Sequence, residues 1–443
     1  MNSSFIIHPR WETAYHGSEE IRQTSALLRI TVNGRLATRV DNDWSRSVHE
    51  EVMLSTYPLA MWLAASWWRL RWETTPDRPT VEWRMAHELS GAGHGYLWPP
   101  MRIETDGASV TVHCAPPLRD SGEPIRYLSI LHESMPVEDF MRGVSAFIDT
   151  VIARLDGLGL RDTGLHRLWR AVAAEWSDPE MAGYRKLEAL LGFEPDEGPD
   201  AWLEEFKHLE PRIGAGATAE IAAACAGHDA VGRLARVMRC AEQRGVEGGF
   251  GNIAAGFGNR WRTLSVFLAQ PWEQGRSLAR DMRDWLGLDL QPVSDNQLLT
   301  ILEMPKSAID EKTAPMHDAR LGVAVREGER DRVRFLFQRR SPTGRRFELA
   351  RWLGDWVWAS AHDHWLPSTE AKTARQKSQR AFAAEFLAPI QAVQAFLGDD
   401  LTDEERIEEA GDHFAVSPRL IQSSLVNHDL VAHDRFGLAF SFA

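Results

Sequence analysis

Three stretches of the sequence carry residue types that perform metal or acid–base chemistry. His87-Glu88-Leu89-Ser90-Gly91-Ala92-Gly93-His94 imitates the His-Glu…His pattern of zinc hydrolases. In that pattern two imidazoles four positions apart share a helix face and meet one ion. Here the second histidine comes seven positions after the first, and Gly91 and Gly93 break the helix between them, so the spacing argues against a metal pair. His49-Glu50 has no second histidine nearby and reads as a solvated face. His362-Asp363-His364 leaves two readings open. On an extended chain both imidazoles point the same way, and Asp355 and Glu370 would complete a His/carboxylate metal site if the fold converged them. Otherwise the stretch is a polar loop.

Two further stretches bear on anion binding. Gly245 to Gly258 (GVEGGFGNIAAGFG) is glycine-dense, but it lacks the Gly-Lys-Ser/Thr ending of a phosphate-binding loop and no clear strand precedes it. It reads as a flexible inter-domain loop. Arg326, Arg330, Arg332, Arg334, Arg339, Arg340, Arg345 and Arg346 form a local basic cluster. Arg332 and Arg334 alternate on one strand face and, with Arg339 and Arg340, would touch nucleic acid or an acidic partner. The competing expectation is internal pairing with Glu327, Glu329 and Asp331, or with the acidic run from Asp399 to Glu409. No Ser-His-Asp or Cys-His arrangement can be proposed from chain order, since such groups converge only in the fold.

Composition bounds these chemistries. The chain has 443 residues, 44% hydrophobic and 26% charged, the balance of a folded multidomain protein. A net charge of −13 argues against bulk nucleic-acid binding, which needs a basic face. The 18 Trp imply large buried aromatic area or aromatic surface kept for a partner. Cys114, Cys225 and Cys240 fit neither a disulfide framework nor a zinc finger, and free thiols suit a reducing cytosol. Met1 to Arg10 has no signal-peptide character. The most apolar run, Tyr57 to Trp68, is well short of the ~20 residues that cross a bilayer and reads as a core helix. A cytoplasmic protein with no membrane association is expected.

The elements that must position these residues are patterned along the chain. Leu27 to Val40 alternates around Asn33-Gly34, and Arg102 to Cys114 around Asp106-Gly107, both hairpin signals. Met135 to Leu158 carries Phe140, Val144, Phe147, Ile148, Val151 and Leu155 at helical spacing. Leu165 to Trp176, Met181 to Leu191, Ala201 to Leu209 and Ala217 to Cys225 are also helical. Later come helices over Trp272–Leu286 and Pro292–Leu302, strands over Leu321–Arg326 and Arg332–Gln338, and helices over Arg345–Ser360, Glu370–Leu397, Asp403–Phe414 and Pro418–Asn427. The expectation is an α+β, multidomain chain: a Trp-rich α+β domain over 1–160, a helical middle over 161–260 ending in the Gly-rich loop, and a third domain over 270–443.

The last of these regions resembles the ImmA/IrrE family of zinc-dependent peptidases and regulators, over about Trp272 to Val431. Leu278-Ala279, Met282-Arg283 and Leu286-Gly287-Leu288 match the family's opening helix. Ser341 followed by Arg345-Arg346-Phe347-Glu348-Leu349-Ala350-Arg351-Trp352-Leu353-Gly354-Asp355 is similar to its "S...RRFTLAHELGH" segment. Phe382-Ala383-Ala384-Glu385-Phe386-Leu387-Ala388-Pro389 resembles "FAAELLMP", and Phe414-Ala415-Val416-Ser417 with Ile421, Leu425 and Leu430-Val431 its closing pattern. The resemblance implies a zincin-like, mainly helical domain with a small sheet. It also implies that the first histidine, the general-base glutamate and the second histidine of HExxH stand at Arg351, Trp352 and Asp355. A guanidinium offers no lone pair to zinc and an indole cannot act as a base. The family's third ligand, a carboxylate early on the next helix, falls in Glu370 to Lys377, where one acid remains.

The resemblance and its lost ligands together imply a pseudopeptidase with no cofactor: a non-catalytic regulatory or interaction protein binding a protein partner, such as an operon-encoded regulator or defence component. Stress response, mobile-element control and phage defence are the settings the resemblance implies. The alternatives are a peptidase with a rearranged site at Asp355, His362, His364 and Glu370, or a nucleic-acid-binding regulator using the Arg326–Arg346 cluster. Arg351 and Asp355, spaced i, i+4, are expected to pair across the gap that zinc would fill.

Overall fold

A computed structural model describes residues 4–116, 124–226, 245–254, 256–257, 270–309, 321–327 and 332–432, with isolated positions at 232, 235, 238–239 and 435–436. The chain divides into two compact units, Met1–Leu203 and Glu204–Ala443. The expected helical middle, 161–260, spans the boundary between them. Leu165, Val172 and Ala189 of this middle region join the core of the first unit, and Phe206, Leu209, Ile213 and Ile221 beyond the boundary are buried as well.

In the first unit β1 (Phe5–Trp11) runs antiparallel to β2 (Ser25–Val32), which also pairs with β3 (Arg35–Leu36) and, further on, β6 (Val52–Ser55). α1 (Glu19–Gln23) lies between β1 and β2 in the chain. The Asn33-Gly34 turn forms as its sequence predicts, with both residues at positive φ. β4 (Val40–Asn42) and β5 (Ser47–His49) make a small hairpin that β9 (Ile125–Tyr127) joins, and β7 (Met101–Thr105), β8 (Ser109–Cys114) and β10 (Leu131–Pro136) form another sheet. The Tyr57–Trp68 run is a core helix broken at Ser66 into α2 (Thr56–Ala65) and α3 (Trp67–Trp72), followed by α4 (Val81–His87). α5 (Val137–Gly157) buries the stripe read from the sequence; α6 (Gly164–Ser177) packs beside it and α7 (Pro179–Leu190) against α3 and α6. Much of the tryptophan is core: Trp62, Trp67, Trp68, Trp83 and Trp98 are buried, whereas Trp44 is 80% exposed.

The boundary falls within α8 (Asp200–Ile213), and α9 (Ala215–Cys225) follows it. The second unit holds a four-stranded antiparallel sheet, in the order β11 (Val246–Gly249), β13 (Arg332–Leu336), β12 (Gly322–Glu327), β14 (Trp365–Ser368). Around it lie α10 (Gly251–Ala254), α11 (Pro271–Leu286), α12 (Asp295–Ile301), α13 (Pro342–Trp358), α14 (Ala374–Leu387), α15 (Ile390–Leu397), α16 (Glu404–Phe414) and α17 (Pro418–Asn427). The helix expected over Glu370–Leu397 is interrupted: Pro389 has no N–H and starts α15 anew.

The glycine-dense stretch is not a free loop where it is described. Val246–Gly249 is a sheet edge, pairing Val246 with Phe335 and Gly249 with Arg332. A Cβ on Gly248 would sit 2.6 Å from Met304 Cγ and 2.7 Å from the Leu302 carbonyl, so glycine serves close packing there. Ala255 and Gly258 of the same stretch lie outside the described residues. β14, over a stretch to which the residue pattern assigns no element, supplies a fourth strand, and Trp365–Ser368 is buried throughout. No helix among the described residues is long and apolar enough to cross a membrane.

Candidate functional site

α13 is the element on which the site is built. Ser341 caps it, its hydroxyl accepting from the Gly344 N–H, and Pro342 occupies its first turn. It is buried on nearly every face, charged residues included. Gly354 permits its crossing with α14, because a Cβ there would lie 2.6 Å from Phe382 Cγ. Gly275 of α11 is equally close to the Ser378 carbonyl, so α14 is clasped between two helices at glycine contacts.

This close crossing decides where Arg351, Trp352 and Asp355 go. Arg351 is 2% exposed. Its guanidinium donates to the Thr369 carbonyl at 2.8 Å, to Gln379 Oε1 at 3.3 Å and to Gln376 Oε1. Both glutamine amides donate in turn to the Pro367 carbonyl at 3.0 Å, which orients their oxygens toward Arg351. Burial lowers the Arg351 pKa to about 10, with the nearby Arg380 charge acting in the same direction. Arg351 remains a cation at neutral pH. Trp352 is fully buried against Phe335 and Phe337, at ring distances of 5.4 and 5.5 Å, and its indole Nε1 has no hydrogen-bond partner among the described residues.

Asp355 departs from expectation. It does not pair with Arg351; Arg375 of α14 holds it in a bidentate grip at 2.7 and 2.8 Å, and the Trp358 indole donates to it at 3.2 Å. Arg375 also reaches Asp363 at 2.7 Å, and Asp363 accepts from the Gly216 N–H at 3.0 Å. The physical reason is competition. A fork approaching from the facing helix matches a carboxylate better than a side chain one turn away on the same helix. Opposing acids hold the Arg375 pKa above its ordinary value despite burial, Asp355 most of all, with Glu220 and Asp363 behind it. Glu220, itself buried and accepting from the Thr373 hydroxyl at 2.6 Å, is pushed up by desolvation.

The four-residue metal site does not assemble. Asp355 is committed to Arg375 and Glu370 to Arg339, while His362 and His364 are exposed. Among the described residues no three metal-type side chains converge. The lookalike motif in the first unit is also dispersed. His87 is fully buried, stacked on Trp83, with Nδ1 3.0 Å from the Ile103 carbonyl and Nε2 3.0 Å from Glu73, whereas His94 is exposed in a turn. Nor is the arginine cluster one basic face. Arg334 pairs with Glu327, and Arg345 and Arg346 are buried clamps on main-chain carbonyls. Arg332 and Arg340 are exposed, and Arg330 lies outside the described residues.

Two features have no counterpart in the residue pattern. Glu348, three positions before Arg351, is buried and accepts from the N–H groups of Gln338 and Arg339, which ties the end of β13 to α13. Burial pushes its pKa up to about 7. The second is a cleft of about 630 Å³ bordered by α14, the first turns of α13 and the length of α17. Arg339, Glu370 and Arg380, three of the charged groups whose fields act on Arg351, line it, as do Arg276, Arg419 and His428. These residues come from separate elements and carry no joint signal in the chain. Comparison with family models, curated proteins and solved structures returns no match to this chain.

Proposed function

We propose that the protein is a non-catalytic regulatory or interaction protein whose second unit is a degenerate ImmA/IrrE-like, zincin-like peptidase scaffold retained to bind a protein partner. One observation carries the reading. At the position that the resemblance gives to the first zinc-binding histidine, a buried guanidinium is held by Gln376, Gln379 and the Thr369 carbonyl. A fixed cation ringed by neutral amide oxygens repels a second cation and offers it no anionic ligand. At the position of the second histidine, both carboxylate oxygens of Asp355 are taken by Arg375. The dense packing of α13 around these residues supports a role for this unit as a binding scaffold.

Metal analysis and a chelator-controlled peptidase assay on the full chain test this. The expected result is zinc well below one per chain and no cleavage that a chelator abolishes. Stoichiometric zinc that disappears on Asp355→Asn or His364→Ala would favour a rearranged peptidase instead. The positive arm is an identified protein partner whose binding is indifferent to chelator.

A further inference from the structure

Among the described residues that line it, the cleft beside Arg351 has four arginines and two carboxylates. Arg276, Arg339, Arg380 and Arg419 line it against two carboxylates, Glu370 and Glu385. Those carboxylates are occupied: Glu370 binds Arg339, and Glu385 binds Arg280 at 2.8 Å and accepts from the Ile390 N–H. Arg276, half-buried, donates to the Asn427 carbonyl at 2.7 Å and has no carboxylate at ion-pair distance among the described residues. Arg419 is exposed on α17 with no such partner either. Burial and then the Arg276 charge depress His428 to about 4, and burial depresses Arg276 itself.

We infer that this cleft binds a short acidic peptide segment of a partner protein, its carboxylates on Arg276 and Arg419 and an apolar side chain between them on Phe347 and Leu420. The inference rests on the scaffold reading above, and specifies what the scaffold binds. The size is right for a few residues, since pockets of roughly 300–1,000 Å³ enclose ligands of that bulk. The charge layout selects a peptide over a phosphate. Arg339 and Arg380 fall in one group with Glu370, and Arg276 in another with Glu385 and His428. Arg380 and Glu385 alone are separated by ~7.5 Å along α14. Cations so spread, with apolar wall from Phe347, Ala384 and Leu420, suit separated monoanions on an apolar-containing chain. A compact dianion would need them focused on one point.

The test is fluorescence anisotropy on the full chain with a labelled pentapeptide Asp-Leu-Glu-Leu-Asp, a counterpart in which lysine replaces each acid, and inorganic phosphate as competitor. The acidic peptide is expected to bind, to weaken about ten-fold or more in Arg419→Glu and in Arg276→Gln, and to weaken as NaCl rises from about 50 to about 300 mM. Arg419 is exposed, so its variant keeps the fold; a thermal melt verifies this for Arg276→Gln. No binding, equal binding of the lysine peptide, unchanged affinity in Arg419→Glu, or full displacement by phosphate overturns the inference. Chelator-sensitive cleavage of the probe would instead sink the scaffold reading itself, so the two failures are distinguishable.

Discussion

Arg375 grips Asp355 through Nε and Nη2 at 2.7 and 2.8 Å, and a third nitrogen of the same guanidinium reaches Asp363 at 2.7 Å. One cation on α14 thereby ties α13 to the turn after it. Removing one partner of such a buried set leaves a charge without compensation. Arg375→Met is expected to destabilise the second unit by about 3–5 kcal/mol in urea unfolding. A loss below about 1 kcal/mol, the surface ion-pair range, would contradict the buried geometry.

Glu348 gives stability an unusual pH slope. Its folded pKa, near 7, lies above its ordinary value of 4.5, so between these limits the folded state holds a proton that the unfolded state releases. Stability from this group is therefore greatest at low pH and declines as pH rises from about 4.5 to about 7. The decline amounts to at most about 3 kcal/mol. Glu348→Gln, whose oxygen can still accept the two N–H bonds, is expected to flatten this limb and to be more stable than the parent at pH 8. A parallel pair of pH–stability curves would contradict the assignment.

His428 acts with the opposite sign. Burial and the Arg276 charge put its folded pKa at about 4, below the unfolded 6.5. The unfolded chain then binds the extra proton, and stability falls as pH drops from about 6.5 to about 4. In His428→Asn the acid limb over that window should be shallower, by up to about 3 kcal/mol across it. Titration of this imidazole above 6 by NMR would remove the basis for the effect.

Two glycine substitutions should differ in sign. Gly354→Ala drives a methyl to 2.6 Å from the Phe382 ring and is expected to cost about 1–3 kcal/mol. Gly183→Ala, in α7, meets nothing within 4 Å and should stabilise by about 0.5–1 kcal/mol through helix propensity. Melting temperatures of the two variants check this directly. If Gly354→Ala is neutral, α13 and α14 do not cross as closely as described.

Trp352 buries an indole N–H that has no acceptor among the described residues. Trp352→Phe removes that cost while opening space, and the two effects oppose. The expected net change is within about 1 kcal/mol, far less than a core Trp→Ala loss of about 3–5. A large loss on Trp352→Phe would point to an acceptor for the indole.

Residues a few positions apart suffice to specify much of the local structure. The α5 stripe from Phe140 to Leu155, the Asn33-Gly34 turn, the β12–β13 hairpin and the helices over Trp272–Leu286 and Pro418–Asn427 all come from periodicity and turn chemistry. That Arg351 cannot ligate a metal and Trp352 cannot act as a base is equally legible in the chain, because residue type alone fixes whether an atom has a lone pair to give. How those side chains are satisfied is a matter of three-dimensional packing. Spacing on α13 favours an Arg351–Asp355 pair, yet the glycine crossing at Gly354 sets Gln376, Gln379 and Arg375 of α14 within reach, and these make better partners. The edge strand Val246–Gly249, the strand Trp365–Ser368 and the arginine-lined cleft are hidden from the chain for the same reason. Each exists through a neighbour distant in sequence, and local pattern carries no information about which neighbour that will be.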